Sequence, residues 1–518
     1  MSRIASALSH SRTRERPAPV VSAEAPRWRQ AWGPALVGVA AAVAVVGVGT
    51  YRGQWFPADV QGRWFFTFPV LGSSELAHRT AFTVYFGALV LLGVAWMWLL
   101  RVVRGDRHFP AWLALAIFAL WSAPFLVGPP VSSDDAVVYA GVGQLVERGL
   151  DPYEVGVDAL GDEPVAKAAS PFWRDSPAPY GPLYLRVTWL ASVLTAGSFR
   201  ATIVVLRLFG FACLALLALP LAALARRAGT TAAFAVTAVL CSPLVVVQLV
   251  GAAHNETLMI LLLAAGVVVG LAGLAEQGGE RRPALVAAGV AVCGAAAAVK
   301  TPALVGAVLL GWLWPGPGAS PPRRLLGAAT AAGLGAATLV ATSLATGTGL
   351  GWLGTLDAPQ KAYTIVAPFT ALGVVVQWLL DQLGWTVEGV LPFLRSVGLV
   401  LGIALACTFL VRAERVGPVL ALGLALMALA ATSPALWPWY LAWGLVFVGS
   451  ATMPLGLQVA LVASNLVLTP LGPGVLDVTG RPVANAAVVS LLTLAVAAIW
   501  LARRLGAEHD LASGARVP

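Results

Sequence analysis

The sequence predicts an all-α polytopic membrane protein, with extracytoplasmic loops and interfacial helices joined to its transmembrane helices. Of the 518 residues, 58% are hydrophobic and only 11% are charged, whereas a soluble protein of this length carries roughly a quarter charged residues. Apolar runs recur along the whole chain at the length that crosses a bilayer as an α-helix, which is about 20 residues. These runs predict a bundle of about 12–14 transmembrane helices.

The predicted spans follow the apolar runs in chain order. They are 33–50, 81–100, 110–128, 203–225, 231–251, 256–275, 284–299, 303–314, 325–346, 391–411, 416–432, 439–451, 454–470 and 484–502. The run 303–314 is short and also fits a re-entrant segment. Residues 1–32 are predicted to be a disordered, Arg-rich cytoplasmic arm without a cleavable signal, and 503–518 a cytoplasmic tail. The residues between them, 33–502, are predicted to form one membrane domain.

Clusters of arginine set the predicted orientation. With the amino terminus inside, every cluster falls in a cytoplasmic segment, as the positive-inside rule requires. The clusters comprise the arm up to Arg29 and Arg101, Arg104, Arg107, Arg226, Arg227, Arg281, Arg282, Arg323, Arg324, Arg412, Arg415, Arg503 and Arg504. The same orientation places two long segments outside, 129–200 and 347–390. The first carries nine of the 24 acidic residues, and function tends to concentrate in such loops.

Composition and motifs argue against several classes of function. The net charge of +9 is compatible with binding to anionic lipid headgroups. The sequence has no basic face with interleaved aromatic residues, so it does not predict nucleic-acid binding. The four cysteines lie singly inside apolar runs, which indicates neither a disulfide framework nor a metal motif. The sequence contains no glycine-rich nucleotide-binding motif, which argues against ATP-driven transport. No cofactor is expected to be required; a divalent cation stays open as an alternative, although no motif indicates one.

Two adjacent carboxylates, Asp134 and Asp135, follow directly after an apolar run in the stretch VSSDDAVVYAG. As caps, Ser132 or Ser133 and the two acids suit the positive end of a helix. As a catalyst, one carboxylate at the membrane–water boundary would remove a proton from an acceptor hydroxyl. The two interpretations are compatible, because a cap residue is also rigidly placed.

His254, Asn255 and Glu256 stand together between two predicted spans in AAHNETLMI. Asn255 fits the cap of the helix that follows. Alternatively, the three residues bind an anionic headgroup or a sugar hydroxyl, because polar groups at a membrane boundary are costly without partners. A metal site is disfavoured, since no third ligand lies near His254 and Glu256 in the sequence.

Lys300 closes an apolar run on the predicted outer side, against the trend of the other basic residues. Its side chain either extends to the interface along the apolar surface or binds a specific anion such as a phosphate. Arg200 and Arg207 are second candidates for the same anion, because residues seven positions apart share a helical face.

Aromatic residues accompany polar ones in two further motifs, WRDSPAPYGPLYL (173–185) and LWPWYLAW (436–443). Aromatic and arginine side chains in an ordered loop suit sugar binding by stacking and paired hydrogen bonds. The alternative, favoured for the second motif, is an aromatic belt at the membrane interface.

The order of these motifs resembles a known family. DDAVVYAG, GLDPY, WRDSPAPYGPL, HNE, VKTPAL and PWYLAW are similar to motifs of the actinobacterial polyprenol-phosphate-mannose-dependent α-(1→6)-mannosyltransferases of the MptA/MptB type, in the GT-C glycosyltransferase superfamily. The resemblance implies a GT-C-like bundle with a catalytic carboxylate in an extracytoplasmic loop. Counting back from Tyr139, Asp135 occupies the family position, and Asp134 is an extra neighbour that leaves the assignment of the base open. The chain departs from the usual GT-C pattern because its aspartates follow the third predicted span rather than the first.

The activity implied is transfer of mannose from a polyprenyl-phosphate-mannose donor to an extracytoplasmic α-mannan or lipoglycan acceptor, as in lipomannan assembly. Anomeric inversion would form an α-1,6 linkage, and the enzyme would be a multi-pass plasma membrane protein whose partners are these substrates and membrane lipids. The implied base is Asp135 or Asp134, and the implied phosphate ligands are Lys300, Arg207 and His254. The implied sugar or acceptor ligands are Tyr153, Trp173, Arg174, Tyr180, Asn255, Glu256, Trp439 and Tyr440. Transfer of another lipid-linked sugar, or flipping of a polyprenyl lipid, are the alternatives.

Overall fold

The computed structural model describes residues 27–52, 75–171, 173–274, 280–358, 364 and 366–471. Within these ranges the regular structure is helical and no strand occurs. Six of the described helices are long and apolar enough to cross a membrane, and shorter apolar helices of 10–17 residues lie between and after them. The chain is therefore an all-α polytopic membrane protein, as its composition predicts.

The helices are numbered here in chain order. The first nine are α1 Trp32–Arg52, α2 Glu75–Arg104, α3 Ala111–Val127, α4 Asp135–Glu147, α5 Pro164–Ala168, α6 Pro182–Leu194, α7 Phe199–Arg227, α8 Ala232–Val239 and α9 Glu256–Gly273. The remaining nine are α10 Pro283–Ala297, α11 Leu304–Leu313, α12 Pro321–Ala345, α13 Pro368–Gln382, α14 Val390–Val411, α15 Ala413–Val416, α16 Pro418–Thr432, α17 Leu441–Val448 and α18 Leu455–Leu468. Short 3₁₀ segments comprise Arg27–Ala31, Val157–Leu160, Thr301–Ala303, Gly351–Thr355 and Pro438–Tyr440, and Val245–Gly251 is a π-helix.

Each of the first thirteen predicted spans overlaps described helical segments, and the fourteenth, 484–502, lies outside the described residues. One prediction needs a correction: the span 231–251 is two segments. The helix α8 ends at Val239, and a second helical segment restarts at Pro243 and continues as a π-helix to Gly251. The hydroxyl of Ser242 accepts from the backbone N–H of Val245 at 3.3 Å. A serine followed by proline is a helix-start signal, so hydrophobicity alone missed the break.

Close approach of helix backbones accounts for part of the packing. A β-carbon added to Gly289 of α10 would lie 2.5 Å from the backbone nitrogen of Gly270 in α9. Added to Gly266, it would lie 2.8 Å from the carbonyl oxygen of Gly289. Small residues at these positions let the two helices meet backbone to backbone, which is how helices commonly associate in membranes.

The two ends of the bundle differ in charge. Helices α2 and α7 end in the arginine clusters, whereas α10 and α12 begin beside theirs. At this end, Nη2 of Arg324 lies 2.8 Å from Oε1 of Glu414, and Nη2 of Arg104 donates to Oε1 of Gln458 at 2.7 Å. We call it the basic end. The connections 128–134, 252–255, 298–303 and 433–440 lie at the opposite end, because successive spans cross in alternate directions.

Candidate active site

The opposite end from the arginines holds a cavity of about 350 Å³. Its wall includes the start of α4 and two of the connections at this end: Asp135 begins α4, Lys300 lies in the connection 298–303, and Trp439 lies in the connection 433–440. The segment 352–358 adds a further wall, with Trp352 and Leu356 among the lining residues. Residues far apart in the sequence therefore meet here because each belongs to a connection at the same end of the bundle.

Asp135 is the first residue of α4 and is 8% exposed. Its backbone N–H donates to the hydroxyl of Ser133 at 3.2 Å, so the serine rather than an aspartate makes the local capping contact. Asp134 occupies the N-cap position without a side-chain capping hydrogen bond. The structure thus supports Ser133 in the helix-start interpretation and leaves the carboxylate of Asp135 directed to other partners.

The partner of Asp135 is His254, which is fully buried. Its Nδ1 lies 3.4 Å from Oδ2 of Asp135 and 3.5 Å from the hydroxyl oxygen of Tyr139. The imidazole stacks on the indole of Trp439, with ring centroids 3.7 Å apart and planes inclined at 21°. The histidine is therefore held from its face and its edge, and it fixes the position of the carboxylate that faces the cavity.

Lys300 supplies the cation among the described residues that line the cavity. Its Nζ contacts Oε1 of Glu256, a fully buried carboxylate at the start of α9. The ammonium also lies 4.2 Å from the ring centroid of Tyr440 and 5.5 Å from that of Trp443. An ammonium held over aromatic faces and beside a carboxylate has few conformations open to it.

A tight backbone contact joins the loop around Tyr180 to the segment around Lys300. The N–H of Gly181 donates to the carbonyl of Val299 at 3.1 Å, and the N–H of Leu183 donates to that of Ala298 at 3.0 Å. A β-carbon at Gly181 would lie 2.2 Å from the oxygen of Ala298. Only glycine permits this approach, which sets the spacing between the two walls of the cavity.

Tyrosines form the wall beside Asp135. The rings of Tyr139 and Tyr180 meet edge to face at 4.9 Å, and those of Tyr139 and Tyr184 at 5.1 Å. The hydroxyl of Tyr153 donates to the backbone carbonyl of Tyr180 at 2.9 Å. Tyr153 therefore supports the wall from behind, while Tyr180 itself lines the cavity.

The deeper part of the cavity is apolar. It is lined by Leu339 of α12, Leu399 of α14 and Leu429 of α16. Leu399 is 40% exposed, on a helix whose outward face carries further exposed apolar side chains. The cavity thus has a polar end between the connections and an apolar end between three apolar helices, which suits a molecule with a charged head and a hydrocarbon tail.

Two parts of the chain match families of known proteins. Residues 35–316 match the family described as α-(1→6)-mannopyranosyltransferase, N-terminal domain, and residues 369–503 match the one described as MptB C-terminal domain. A probable α-(1→6)-mannopyranosyltransferase from Mycolicibacterium smegmatis is 30% identical over 412 residues, covering 74% of this chain and 73% of the relative. The α-(1→6)-mannopyranosyltransferase A from Mycobacterium tuberculosis is 30% identical over 437 residues, covering 80% and 79%. No solved structure matches the chain.

The chain belongs to the MptA/MptB family of α-(1→6)-mannopyranosyltransferases. It is an enzyme, a membrane-embedded mannosyltransferase, and the family predicted from the motifs is confirmed. The motifs that carry the resemblance are the ones that the fold brings together, since they lie in the connections around the cavity.

The structure divides the predicted site residues of this mannosyltransferase into three groups. Those that line the cavity are Asp135, Trp173, Tyr180, Lys300, Trp439 and Tyr440. Those that contact or support a lining residue are Tyr153, His254 and Glu256. Those outside the lining are Asp134, Arg174, Arg207 and Asn255. Asn255 is the N-cap residue of α9 but makes no side-chain capping hydrogen bond.

Four aromatic lining residues were not among the predicted site residues: Tyr139, Trp352, Trp437 and Trp443. Trp443 belongs to the motif LWPWYLAW, where a membrane belt was the favoured interpretation. Its ring stacks on that of Tyr440 at 4.4 Å, and the three-residue spacing that places both on one helical face was the available signal. Trp352 lies in a glycine-rich segment that offers no such pattern.

The predicted role of Arg207 at a donor phosphate does not fit its position. Arg207 belongs to α7, and its side chain is fully buried in the protein. Its Nε donates to the carbonyl of Gly251 at 3.0 Å, and Nη1 donates to the carbonyl of Gly128. The arginine thus satisfies backbone groups at the end of the π-helix and at the end of α3, which the spacing to Arg200 did not reveal.

Arg207→Lys separates these two roles. Because an ammonium lacks the planar fork that reaches both carbonyls, we expect the substitution to destabilise the protein by about 1–3 kcal/mol. The folded fraction should keep the KM for donor of the unmodified enzyme. Thermal unfolding in detergent and initial rates on the folded fraction measure the two effects. A large rise in KM at unchanged stability would restore Arg207 to the donor site.

Asp134 lies outside the spans, and its burial raises the pKa of the carboxyl to about 6, with the Asp135 carboxylate as the second cause. A raised folded-state pKa means that folding favours the protonated form, so ionisation of Asp134 costs stability at high pH and the cost disappears as pH falls. We therefore expect Asp134→Asn to raise the unfolding temperature at about pH 8 and to change it little at about pH 3, below both the folded-state and the ordinary carboxyl pKa. Thermal scans at both pH values test this, and a pH-independent effect would contradict it.

Proposed function

We propose that the enzyme transfers mannose from a polyprenyl-phosphate-mannose donor to an α-mannan or lipoglycan acceptor on the extracytoplasmic side of the plasma membrane. The observation that carries the proposal is the cavity itself, which combines Asp135, Lys300 and an apolar end between α12, α14 and α16. A lipid-linked sugar phosphate has the matching parts: a sugar, an anion and a hydrocarbon chain. The arginines at the basic end support the extracytoplasmic location, because basic residues favour the cytoplasmic side.

Asp135 is the proposed base. An acceptor hydroxyl attacks the anomeric carbon of the mannose, its proton passes to the Asp135 carboxylate, and the bond from the anomeric carbon to the phosphate oxygen breaks. The bonding electron pair leaves with the polyprenyl phosphate. One displacement inverts the anomeric centre, so a β-linked donor gives an α product. His254 holds the carboxylate through Nδ1 at 3.4 Å, which keeps the base in one orientation.

Lys300 is the proposed ligand of the phosphate. The ammonium would stabilise the negative charge that grows on the phosphate as it leaves. A single carboxylate suffices beside it, because phosphate departs as an anion and needs no acid to protonate it. In glycoside hydrolysis, by contrast, two carboxyl groups are required. Among the described residues that line the cavity, Asp135 is the one carboxylate, as this displacement requires.

The aromatic lining residues are the proposed sugar ligands. Trp173, Tyr180 and Trp439 line the cavity, and aromatic side chains can pack against the apolar faces of pyranose rings. Trp352 and Leu356 lie on the segment that forms the remaining wall, where an acceptor glycan would enter.

The test uses the full-length protein in lipid nanodiscs with synthetic polyprenyl-phosphate-[¹⁴C]mannose and an α-1,6-linked mannobioside acceptor. We expect a labelled trisaccharide whose new linkage is α-1,6 by NMR, and no product from a nucleotide-linked mannose. Product from the nucleotide donor alone would contradict the proposed donor. Lipid scrambling in vesicles without any transfer would instead identify a flippase.

A further inference from the structure

Lys300 and Glu256 form an ion pair at the inner wall of the cavity. The side chain of Lys300 is 19% exposed and that of Glu256 is fully buried. Lys300 lines the cavity, whereas Glu256 is absent from the lining and lies behind it. The lysine therefore lies between the cavity and a buried carboxylate. The positive charge that it presents to a ligand is partly neutralised by Glu256.

The pair is enclosed by groups that keep it close. The ring of Tyr440 lies 4.2 Å from the Lys300 ammonium, and that of Trp443 lies 5.5 Å away. Burying an unpaired charge is strongly unfavourable, so the cation needs an anion within reach. In the ligand-free protein that anion is Glu256. When an anionic ligand enters the cavity, the two anions share one cation.

We propose that Glu256 is a positioning residue that acts through Lys300: it is the resident counter-ion with which the phosphate of the lipid substrate competes. This rests on the function proposed above. A resident carboxylate weakens the hold of the lysine on phosphate, and the same weakening speeds the release of polyprenyl phosphate after transfer. Glu256 thus sets the balance between binding of the donor and departure of the product.

Glu256→Gln tests the inference most directly. Glutamine has the size of glutamate and keeps an oxygen that accepts from the lysine, but it carries no charge. The phosphate then becomes the counter-ion that Lys300 lacks, and we expect polyprenyl phosphate to bind about tenfold more tightly, within the usual range of coupling between sites. The KM for donor and kcat should both fall, because product leaves slowly. A merely structural role would lower kcat and raise KM.

The measurement is a titration of nanodisc-embedded protein with undecaprenyl phosphate, followed by the fluorescence of the tryptophans that line the cavity, beside initial rates of transfer. Glu163→Gln is the matched control. It removes one carboxylate from the segment between α4 and α6, where Glu163 pairs with Arg148 at 2.5 Å on the surface, and it should change neither affinity nor kcat. An affinity of Glu256→Gln within twofold of the unmodified protein, or weaker, overturns the inference.

Two further measurements keep the inference testable. If the Glu256→Gln protein does not fold, Glu256→Asp replaces it: the shorter side chain weakens the contact with Lys300, so tighter binding of undecaprenyl phosphate supports the inference and unchanged binding overturns it. If the unmodified protein neither binds undecaprenyl phosphate nor transfers from the lipid donor, the proposed function fails. The inference about Glu256 is then decided by the same titration with inorganic phosphate, where tighter binding by Glu256→Gln supports it and equal binding overturns it.

Discussion

Asp135→Asn should lower mannosyl transfer by a factor of about 10²–10⁴, the usual contribution of a general base. Asparagine keeps the shape of the side chain and an oxygen that accepts from Nδ1 of His254, which lies 3.4 Å from Oδ2 in the native enzyme. The amide cannot take a proton from the acceptor hydroxyl. The loss should therefore appear in kcat, with little change in the KM for donor. Initial rates with labelled donor, at matched amounts of folded protein, measure it.

Asp134→Asn is the matched control for this result. The two aspartates are adjacent, but Asp135 lines the cavity and Asp134 does not. Removing the carboxyl of Asp134 should leave transfer within about threefold of the native rate, because a residue outside the reaction changes catalysis only through its surroundings. If Asp134→Asn is as inactive as Asp135→Asn, the pair acts as one unit. If neither loses activity, the base lies elsewhere.

Hydrophobicity located most of the described apolar helices because the predicted spans are bounded by charged or turn-forming residues. Where the prediction differed, in 231–251, an apolar sequence hides a helix break at Ser242 and Pro243. The break matters for function: the π-helix that follows ends at Gly251, immediately before His254 and Glu256. Runs of apolar residues carry no information on whether a helix is continuous, so only the local start signal could have located it.

The candidate site was predictable where a charged residue stood out from the apolar sequence around it. Asp135 follows an apolar run, and Lys300 closes one at the end of the bundle opposite the arginine clusters. Both line the cavity. The spacing of Arg207 and Arg200 along one helix predicted a phosphate ligand. In the structure, the partners of Arg207 are instead backbone carbonyls from two other segments. No sequence pattern identifies such backbone partners, because only the fold brings them close to the arginine.

The role of Glu256 also could not be predicted from its neighbours in the sequence. The motif HNE predicted a sugar ligand or a helix start, and both interpretations used only its neighbours in the sequence. The contact that defines Glu256 is with Lys300, 44 residues further along the chain. The buried carboxylate and the cation beside the cavity are therefore accounted for together, because each neutralises the charge of the other.

Lys300→Gln should lower transfer by a factor of about 10²–10³, the usual effect of removing a group that stabilises charge in the transition state. The single substitution also leaves Glu256 buried without its cation, and breaking a buried ion pair costs about 3–5 kcal/mol. A loss of activity in this variant alone would thus combine catalysis with folding. Comparing it with the double variant Lys300→Gln with Glu256→Gln separates them, because two amides replace two charges and no buried charge stays unpaired.

The double variant should recover most of the thermal stability that Lys300→Gln loses while staying as inactive as that single variant. Stability depends on neutralising the pair, which two amides achieve, whereas catalysis depends on a cation facing the phosphate, which no amide supplies. Unfolding temperatures and transfer rates for the single and double variants give both quantities. A double variant that transfers mannose at close to the native rate would show that Lys300 serves the fold through Glu256 and that the leaving phosphate is stabilised by other groups.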